Sequence, residues 1–277
     1  MTVRARVASL MYHEVTDDPA SSGFQRPGAF AYKHSIAAFT EHLDRIAGVA
    51  ATPTLVSELD LTRSGQHVVL TFDDGGKSAA IAADLLERRG WRGYFFIVTS
   101  LIGNRTFLDA EGIRALSAAG HVIGSHSHTH PNIFRELEPA RMVEEWRVSA
   151  DILSHITGLP CVSASVPGGD ISAQVLESAD AAGLRYLFTS EPWLAPRQVG
   201  RCAILGRYSV KVSTTGAKVG SLAQFRGWRS AQVRRQLKVW ASRALPPLYR
   251  LYIRMRTTPG GGADVSGVSG RNRSPNP

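Results

Sequence analysis

Two adjacent aspartates directly follow a short apolar segment, and this pair is the feature of the sequence that first suggests chemistry. They lie in "VVLTFDDGGKS", residues 68–78, where Asp73 and Asp74 precede Gly75 and Gly76. Neighbouring carboxylates repel each other and raise one of the two pKa values. A chain tolerates such a pair mainly where a cation or a proton transfer compensates for it. The pair therefore predicts a site at which one acid binds a cation.

Three histidines cluster further along the chain, in "GSHSHTHPN" at residues 124–132. We expect His126 and His130 to lie on the same side of one helical turn, where they can grip a single ion. Two imidazoles and one carboxylate leave positions for water and substrate, a set common in catalytic sites for Zn²⁺ or a similar divalent ion. One aspartate would bind that ion, and its neighbour would take a proton from the bound water.

Short apolar or β-branched runs alternate with segments of helical spacing. The predicted strands are residues 8–15, 67–74, 93–100, 121–128, 162–167, 186–190 and 202–210. The predicted helices are residues 35–48, 77–90, 109–120, 138–158 and 171–183. This alternation predicts an α/β fold with a parallel sheet covered by helices, and six or seven such units suit a barrel better than a small open sheet. The carboxyl ends of the strands line the active site in either architecture, so the aspartates and histidines should meet there.

Length and composition are those of an ordinary globular protein. With 277 residues, the chain can form one large α/β domain or two small ones. The sequence has no run of 18 apolar residues and no signal-peptide core, so we expect no transmembrane helix and, by default, a cytoplasmic location. Cys161 and Cys202 form no ligand spacing and are interpreted as reduced structural cysteines.

The net charge of +9 is concentrated at the C-terminal end of the chain. Residues 228–277 hold ten Lys or Arg and a single acid, Asp264, which accounts for the whole excess. Because the rest of the chain is near neutral and carries no recognisable nucleic-acid-reading motif, we expect no nucleic-acid partner.

The C-terminal region divides into two parts. Residues 228–256 mix cations with Trp, Tyr and aliphatic residues, and Pro246 and Pro247 should break them into two short helices. Such a basic helical extension could contact an anionic membrane at the inner face, or it could simply pack on the barrel. Residues 257–277 have almost no large apolar residues, which predicts a disordered tail. The proposed domain division is thus 1–227, 228–256 and 257–277.

The motifs "TFDDG" (71–75) and "HSHTH" (126–130), in this order, resemble those of the polysaccharide deacetylases, the fourth carbohydrate esterase family, which includes chitooligosaccharide deacetylases. The resemblance runs from about Ser9 to about Tyr208 and implies a distorted (β/α)₇ barrel. It implies a general base, Asp73, and three metal ligands, Asp74, His126 and His130. Zn²⁺ is the expected ion, with Co²⁺, Ni²⁺ and Fe²⁺ left open.

The resemblance also assigns supporting roles near the histidines and in a later loop. Ser127 would brace the loop that carries the ligands, whereas His128 matches no ligand position. The backbone N–H of Gly168, in "SVPGG" at 165–169, is the candidate donor to the oxyanion that forms when water attacks the acetyl carbonyl.

Three departures from the family pattern affect these roles. Ser165 stands where the family has an arginine that pairs with the base, so we expect Asp73 to lack its orienting partner. Gly168 replaces an aromatic residue, which should open the substrate groove. The late histidine that protonates the leaving amine is missing, since no histidine follows His155 and the last strand has Arg207 instead.

His13, at the end of the first strand, is a substitute acid. Barrel closure would bring that strand end next to the last strand, and some exopolysaccharide deacetylases begin with a similar "MYH". Glu191 and Trp193 lie at another strand end, where they could support the base and stack on a sugar, or simply pack in a loop.

The sequence thus favours a metal-dependent hydrolase that removes N-acetyl groups from an amino sugar in a polysaccharide or a lipid-linked glycan. The alternatives are a deformylase or other deacylase of a lipid-linked amino sugar, and a non-catalytic glycan-binding barrel that retains the metal.

Overall fold

The computed structural model describes residues 5–49, 52–169 and 171–244. The predicted disordered tail, 257–277, lies outside the described residues, as do Pro246, Pro247 and the rest of the predicted extension beyond residue 244.

Strands and helices alternate over most of the described chain, as the sequence predicts. The strands are β1 (Arg6–Tyr12), β2 (Glu14–Val15), β3 (Lys33–His34), β4 (Gln66–Phe72), β5 (Tyr94–Ile97), β6 (Val122–Ser125), β7 (Ser163–Ser165), β8 (Tyr186–Phe188), β9 (Arg197–Val199), β10 (Cys202–Leu205) and β11 (Arg207–Ser209). The helices are α1 (Ile36–Ala47), α2 (Ala79–Glu87), α3 (Ala110–Ala118), α4 (Pro139–Thr157), α5 (Ala173–Ala181), α6 (Gly216–Ala223) and α7 (Trp228–Ala244).

The main sheet has the strand order β11-β1-β4-β5-β6-β7-β8-β10-β9, and all its pairings are parallel except that of β9 with β10. Gly206 alone separates β10 from β11. The first half of the segment 202–209 pairs with β8, and its second half pairs with β1. The parallel ladder therefore returns to its starting strand through this segment, which is the connectivity that a barrel of seven β/α units requires.

The central strands are buried on both faces because helices cover the sheet. In β4, for example, every residue from Val68 to Phe72 is buried, and the ring of Phe72 stacks on that of Phe95 in β5 at 4.7 Å between centroids. Helix α1 buries Phe39, Leu43 and Ile46 against this core, at the spacing of one helical face. These strands end in polar residues, so the rigid core delivers those residues to one edge of the sheet.

Several elements differ from the sequence-based prediction. The strand predicted at 8–15 is interrupted at His13, which points away from the ladder into a cavity. The segment 16–34, which has no predicted strand or helix, contains β3 and a short 3₁₀ helix at Phe30–Tyr32. The strand β9 and the helix α6 were not predicted, because a three-residue strand and an eight-residue helix carry too little periodicity to stand out.

Helix α7 begins in the core rather than beyond it. Trp228 is buried and its indole N–H donates to the carbonyl of Leu222, while Ala231, one turn later, is also buried. The proposed boundary at 227/228 thus falls within a packed part of the structure. Among the described residues, no helix combines the length and hydropathy needed to cross a bilayer.

Candidate active site and metal centre

The three predicted metal ligands converge at the carboxyl ends of β4 and β6. The Oδ1 atom of Asp74 lies 3.4 Å from Nε2 of His126 and 3.7 Å from Nε2 of His130. One potential ligand atom from each side chain falls within 4.8 Å of the other two. Three donors this close share a volume that a single ion can fill, and the set of one carboxylate and two imidazoles suits Zn²⁺ and related divalent ions.

The loop that carries the histidines is not the helical turn that their spacing predicts. Ser127 and His130 instead have positive φ angles of 64° and 54°, which fold the chain tightly between the two ligands. The hydroxyl of Ser127 accepts the N–H of His130 at 3.0 Å, which confirms the bracing role expected of Ser127. His128 faces away from the ligands and lies 2.9 Å from the hydroxyl of Thr99 through Nδ1.

The protonation states of the ligands suit a cation. Burial raises the pKa of Asp74, but its hydrogen bond to His126 and the neighbouring imidazoles outweigh that effect and hold the pKa well below its usual value. Burial lowers the pKa of His130 to about 3, so the ring is neutral and keeps a lone pair for an ion. The Nδ1 atom of His126 lies 2.6 Å from the hydroxyl of Ser165, which leaves Nε2 facing Asp74.

Asp73 has an orienting partner, contrary to the sequence-based expectation. The guanidinium of Arg207 forms a two-pronged ion pair with it, Nη1 to Oδ1 at 2.7 Å and Nη2 to Oδ2 at 2.9 Å. Arg207 is fully buried, and its remaining N–H groups donate to the carbonyl of Thr189 and the hydroxyl of Thr71. The absence of an arginine at position 165 is therefore compensated from a different strand. Ser165 contributes a hydrogen bond to Asp73 of 3.2 Å instead.

This ion pair fixes the charge of Asp73. Burial alone would raise the pKa of the carboxyl group, but the adjacent Arg207 outweighs burial and lowers it. Asp73 is consequently ionised near neutral pH, as a general base must be.

His13 lies in the same cavity as the aspartates, because β1 pairs with β4 on one side and β11 on the other. Its ring packs on Tyr32 at 4.4 Å between centroids, and its buried Nδ1 atom has no hydrogen-bond partner within the described part of the chain. Burial lowers the pKa of His13, and the charges of Asp74 and Asp73 oppose that shift.

The remaining predicted site residues are divided between the cavity and its surroundings. Gly168 lines the cavity, with a positive φ of 65° that glycine adopts readily. Glu191 binds Arg235 of α7 at 2.8 Å, and its carbonyl accepts the N–H of Arg207. Trp193 does not line the cavity, and its ring instead packs beneath the guanidinium of Arg197 at 3.8 Å.

Comparison with known proteins identifies the family to which this arrangement belongs. Residues 60–187 match the family model described as polysaccharide deacetylase. This segment is a polysaccharide deacetylase domain. It contains Asp73, Asp74, His126 and His130, so the matched region includes the core of the candidate site.

Individual relatives of the deacetylase domain agree with this assignment. YxkH of Bacillus subtilis, named as a polysaccharide deacetylase, is 25% identical over 221 residues, which cover 78% of this chain and 76% of that protein. The peptidoglycan-N-acetylglucosamine deacetylase PgdA of Listeria monocytogenes is 25% identical over half of this chain but only 29% of its own length. The structure of IcaB from Ammonifex degensii superimposes with a TM-score of 0.65 at 21% identity, over 80% of this chain and all of that one, which shows a shared fold.

The candidate site opens into a cavity of about 310 Å³, within the range of small-molecule sites. Several of its lining residues were not predicted from the sequence. They are Glu14, Phe24, Arg26, Tyr32, Lys211 and Arg235. These residues come from β2, from the loop 16–34, from the segment after β11 and from α7, none of which shows a local motif. The sequence feature that could have indicated them is the presence of charged and aromatic residues in a Gly- and Pro-rich loop close to His13.

Glu14 is the least accessible of these residues. One of its carboxylate oxygens, Oε2, accepts hydrogen bonds from the hydroxyls of Ser22 and Ser78, and the other has no partner within the described residues. Burial raises the pKa of Glu14 to about 7. The side chain thereby ties the loop 16–34 to the turn that follows the two aspartates.

Proposed function

We propose that this protein is a metal-dependent hydrolase that removes N-acetyl groups from an amino sugar of a polysaccharide or lipid-linked glycan. The observation that carries the proposal is the convergence of Asp74, His126 and His130 beside Asp73, whose carboxylate is ionised and oriented by Arg207. Those three ligands would hold the ion, with Zn²⁺ as the first choice and Co²⁺, Ni²⁺ or Fe²⁺ as alternatives. When bound, the ion supplies Lewis-acid chemistry that polarises a carbonyl and acidifies water.

The chain's own residues supply the proton transfers. Asp73 accepts a proton from the attacking water, for which it must be ionised and held still. Arg207 and Ser165 meet both requirements, because together they contact both carboxylate oxygens. The N–H of Gly168 is proposed to donate to the oxyanion at the cavity wall.

His13 is proposed to protonate the leaving nitrogen. Its ring is buried at the cavity, and Asp73 and Asp74 favour its charged form although burial opposes it. Negative charge that develops on the substrate in the transition state acts in the same direction as the carboxylates. Because burial is the larger effect and lowers the pKa of His13, the imidazole would take up a proton only as that negative charge develops.

Release of acyl product, measured with and without a chelator, tests the proposed function. We expect the protein to release acetate from a chitooligosaccharide or a lipid-linked N-acetylhexosamine. A chelator or the substitution Asp74→Asn should abolish this release, and Asp151→Asn should retain it. Asp151 is an exposed aspartate of α4 and serves as the matched control. Release of formate from a formylated amino sugar, with no acetate from its acetylated counterpart, would replace the proposal with a deformylase. Glycan binding without release of any acyl group, with each of the four metals, would replace it with a binding protein.

A lipid-linked substrate would place the enzyme at a membrane, and α7 has a surface suited to this. Val233, Leu237 and Trp240 lie on one side of the helix at spacings of four and three residues, with exposures of 56, 62 and 71%. Arg229 and Arg234 are exposed on the same helix. Apolar side chains among cations are the features by which interfacial helices bind anionic lipid.

Sedimentation with vesicles tests this contact. We expect the full chain to pellet with vesicles that contain phosphatidylglycerol but not with pure phosphatidylcholine. Leu237→Ser combined with Trp240→Ser should abolish pelleting, whereas Leu159→Ser, which removes an equally exposed leucine elsewhere, should not. Equal pelleting by both variants would reject α7 as the membrane contact.

A further inference from the structure

The cavity of the proposed deacetylase contains more positive charge than the hydrolysis of an amide requires. Three cations line it, whereas Arg207 lies buried behind Asp73 and is not part of the lining. They are Arg26 of the loop 16–34, Lys211 just after β11, and Arg235 of α7. All three lie outside residues 60–187, the part of the chain that matches the deacetylase family. The matched domain therefore does not account for their presence around the site.

Two of these cations have no carboxylate partner within the described residues. Arg207 is balanced by Asp73, and Arg235 is balanced by Glu191. Arg26 and Lys211 instead lie over aromatic rings, the first 4.2 Å from the centroid of Phe24 and the second 5.5 Å from that of Tyr32. A ring supports a cation from one side and leaves its remaining N–H donors free for another acceptor.

The same rings connect the two cations to residues of the site. Phe24 packs against His130 at 5.1 Å between ring centroids, and Tyr32 packs against His13 at 4.4 Å. Arg26 therefore lies next to the metal ligands, and Lys211 lies next to the proposed acid. A sugar whose acetamido group reaches Asp73 would present its neighbouring substituents to both.

The charge balance of the cavity is consequently positive once an ion is bound. A divalent ion at this centre is offset by a single carboxylate, that of Asp74. Glu14, the remaining acid of the cavity wall, is held by two serine hydroxyls. A neutral sugar would leave Arg26 and Lys211 partly desolvated without a counter-charge, which is unfavourable.

We propose that Arg26 and Lys211 form a subsite for an anionic group, a phosphate or a carboxylate, carried by the substrate next to its N-acetylated position. This inference rests on the proposed deacetylase function and narrows its substrate class to charged amino sugars. Arg235 also lines the cavity. It is held in place by its ion pair with Glu191 and by a hydrogen bond to the carbonyl of Gly169.

Paired substrates that differ only in charge test the subsite. The zinc-loaded protein would be assayed with the neutral methyl glycoside of N-acetylglucosamine, with N-acetylglucosamine 1-phosphate, and with N-acetylmuramic acid, whose charge is a carboxylate. We expect kcat/KM to be about 10- to 100-fold higher for at least one charged substrate, the range for a charge-assisted contact, mainly through KM. A preference for the phosphate or for the carboxylate distinguishes the two sources of charge.

Substitution of the cations completes the test. Arg26→Gln and Lys211→Gln should each reduce the preference for the charged substrate while leaving kcat/KM for the methyl glycoside unchanged. Arg63→Gln is the matched control, because Arg63 is exposed just before β4, at the opposite end of the strands. Equal kcat/KM for charged and neutral substrates, or equal losses for both in the variants, would overturn the proposal.

A binding measurement separates this proposal from the proposed function. Glucose 1-phosphate and methyl glucoside have no acyl group, so their affinities for the zinc-loaded protein can be measured by calorimetry without turnover. Tighter binding of the phosphate that is lost in Arg26→Gln and Lys211→Gln supports the subsite even if no acyl group is ever released. Equal binding of the two ligands, beside normal deacetylation of a neutral glycan, rejects the subsite and retains the deacetylase.

Discussion

The guanidinium of Arg207 and the carboxylate of Asp73 form a buried two-pronged ion pair, although 134 residues separate them in the chain. The pair joins the first strand after the loop region, β4, to the last strand of the parallel ladder, β11. It thus links the charge of the proposed base directly to the way in which the sheet is completed.

Arg207→Met should both destabilise the fold and weaken the base. Leaving Asp73 buried without its partner is expected to lower the free energy of unfolding by about 3–5 kcal/mol. The pKa of Asp73 should rise, because burial then acts without opposition, so the acid limb of the kcat/KM profile should move to higher pH. Denaturant unfolding and pH-rate profiles measure the two effects, with Arg63→Met as the control.

The double variant Ser165→Arg with Arg207→Met returns an arginine to the position where the family pattern has one. Ser165 already contacts Asp73, so an arginine there can reach the carboxylate. We expect part of the lost activity and the original acid limb to return. An acid limb that stays shifted would show that only β11 can supply the partner.

Asp74→Asn should remove the metal centre without removing the fold. An amide cannot replace the ionised carboxylate. The loss of zinc affinity should therefore exceed the roughly 10–100-fold loss that is typical when a residue that only hydrogen-bonds to a metal ligand is replaced. Elemental analysis and thermal unfolding with and without chelator provide the readouts. Chelation should lower the Tm of the native protein and of Asp151→Asn, but not that of Asp74→Asn. Equal zinc in all three proteins would contradict the assignment of the ligand.

His13→Gln should reduce kcat by about 10²–10⁴-fold, the usual contribution of general acid–base catalysis, with zinc content and KM little changed. The exposed His155→Gln in α4 is the matched control. Full turnover by His13→Gln with undiminished zinc would exclude His13 as the acid.

Glu14 should give the metal-free protein a stability that declines with rising pH. Its pKa is about 7 in the folded state and 4.5 ordinarily, so between these values the folded chain holds a proton that the unfolded chain has lost. The contribution of Glu14 to the free energy of unfolding is therefore most favourable below pH 4.5. It falls by up to about 3 kcal/mol as the pH rises to 7. Glu14→Gln should flatten that slope, measured by urea unfolding in chelator from pH 5 to 8. Parallel slopes in both proteins would show that Glu14 is already ionised.

The proposed base and metal ligands could be located from the sequence because they lie in short motifs at strand ends. The order of strands and helices was enough to place Asp73, Asp74, His126 and His130 at strand ends. In a parallel sheet those ends lie at the same edge, so the four residues were expected to meet there. The helical turn predicted for His126–His130 was wrong, since i, i+4 spacing also arises in a loop when Ser127 and His130 take positive φ angles.

The partners supplied by distant segments could not be predicted in the same way. Arg207 was visible as an arginine in the last strand, but its pairing with Asp73 depends on the register of β11 against β1. Arg26, Lys211 and Arg235 depend on loop and helix placements that no local pattern specifies. Trp193 shows the converse, because a residue at a strand end can turn away from the cavity and pack between an apolar cluster and Arg197.

The strand segment 202–209 has one further consequence, which concerns timing. It is synthesised after every proposed metal ligand and after the proposed base, yet it carries both the pairing that joins β8 to β1 and the arginine that neutralises Asp73. A nascent chain that has not yet released this segment from the ribosome holds an unbalanced acid in an open sheet. The proposed hydrolysis would therefore begin only after the segment 202–209 has joined the ladder, so we expect unfinished chains to be inactive toward glycans.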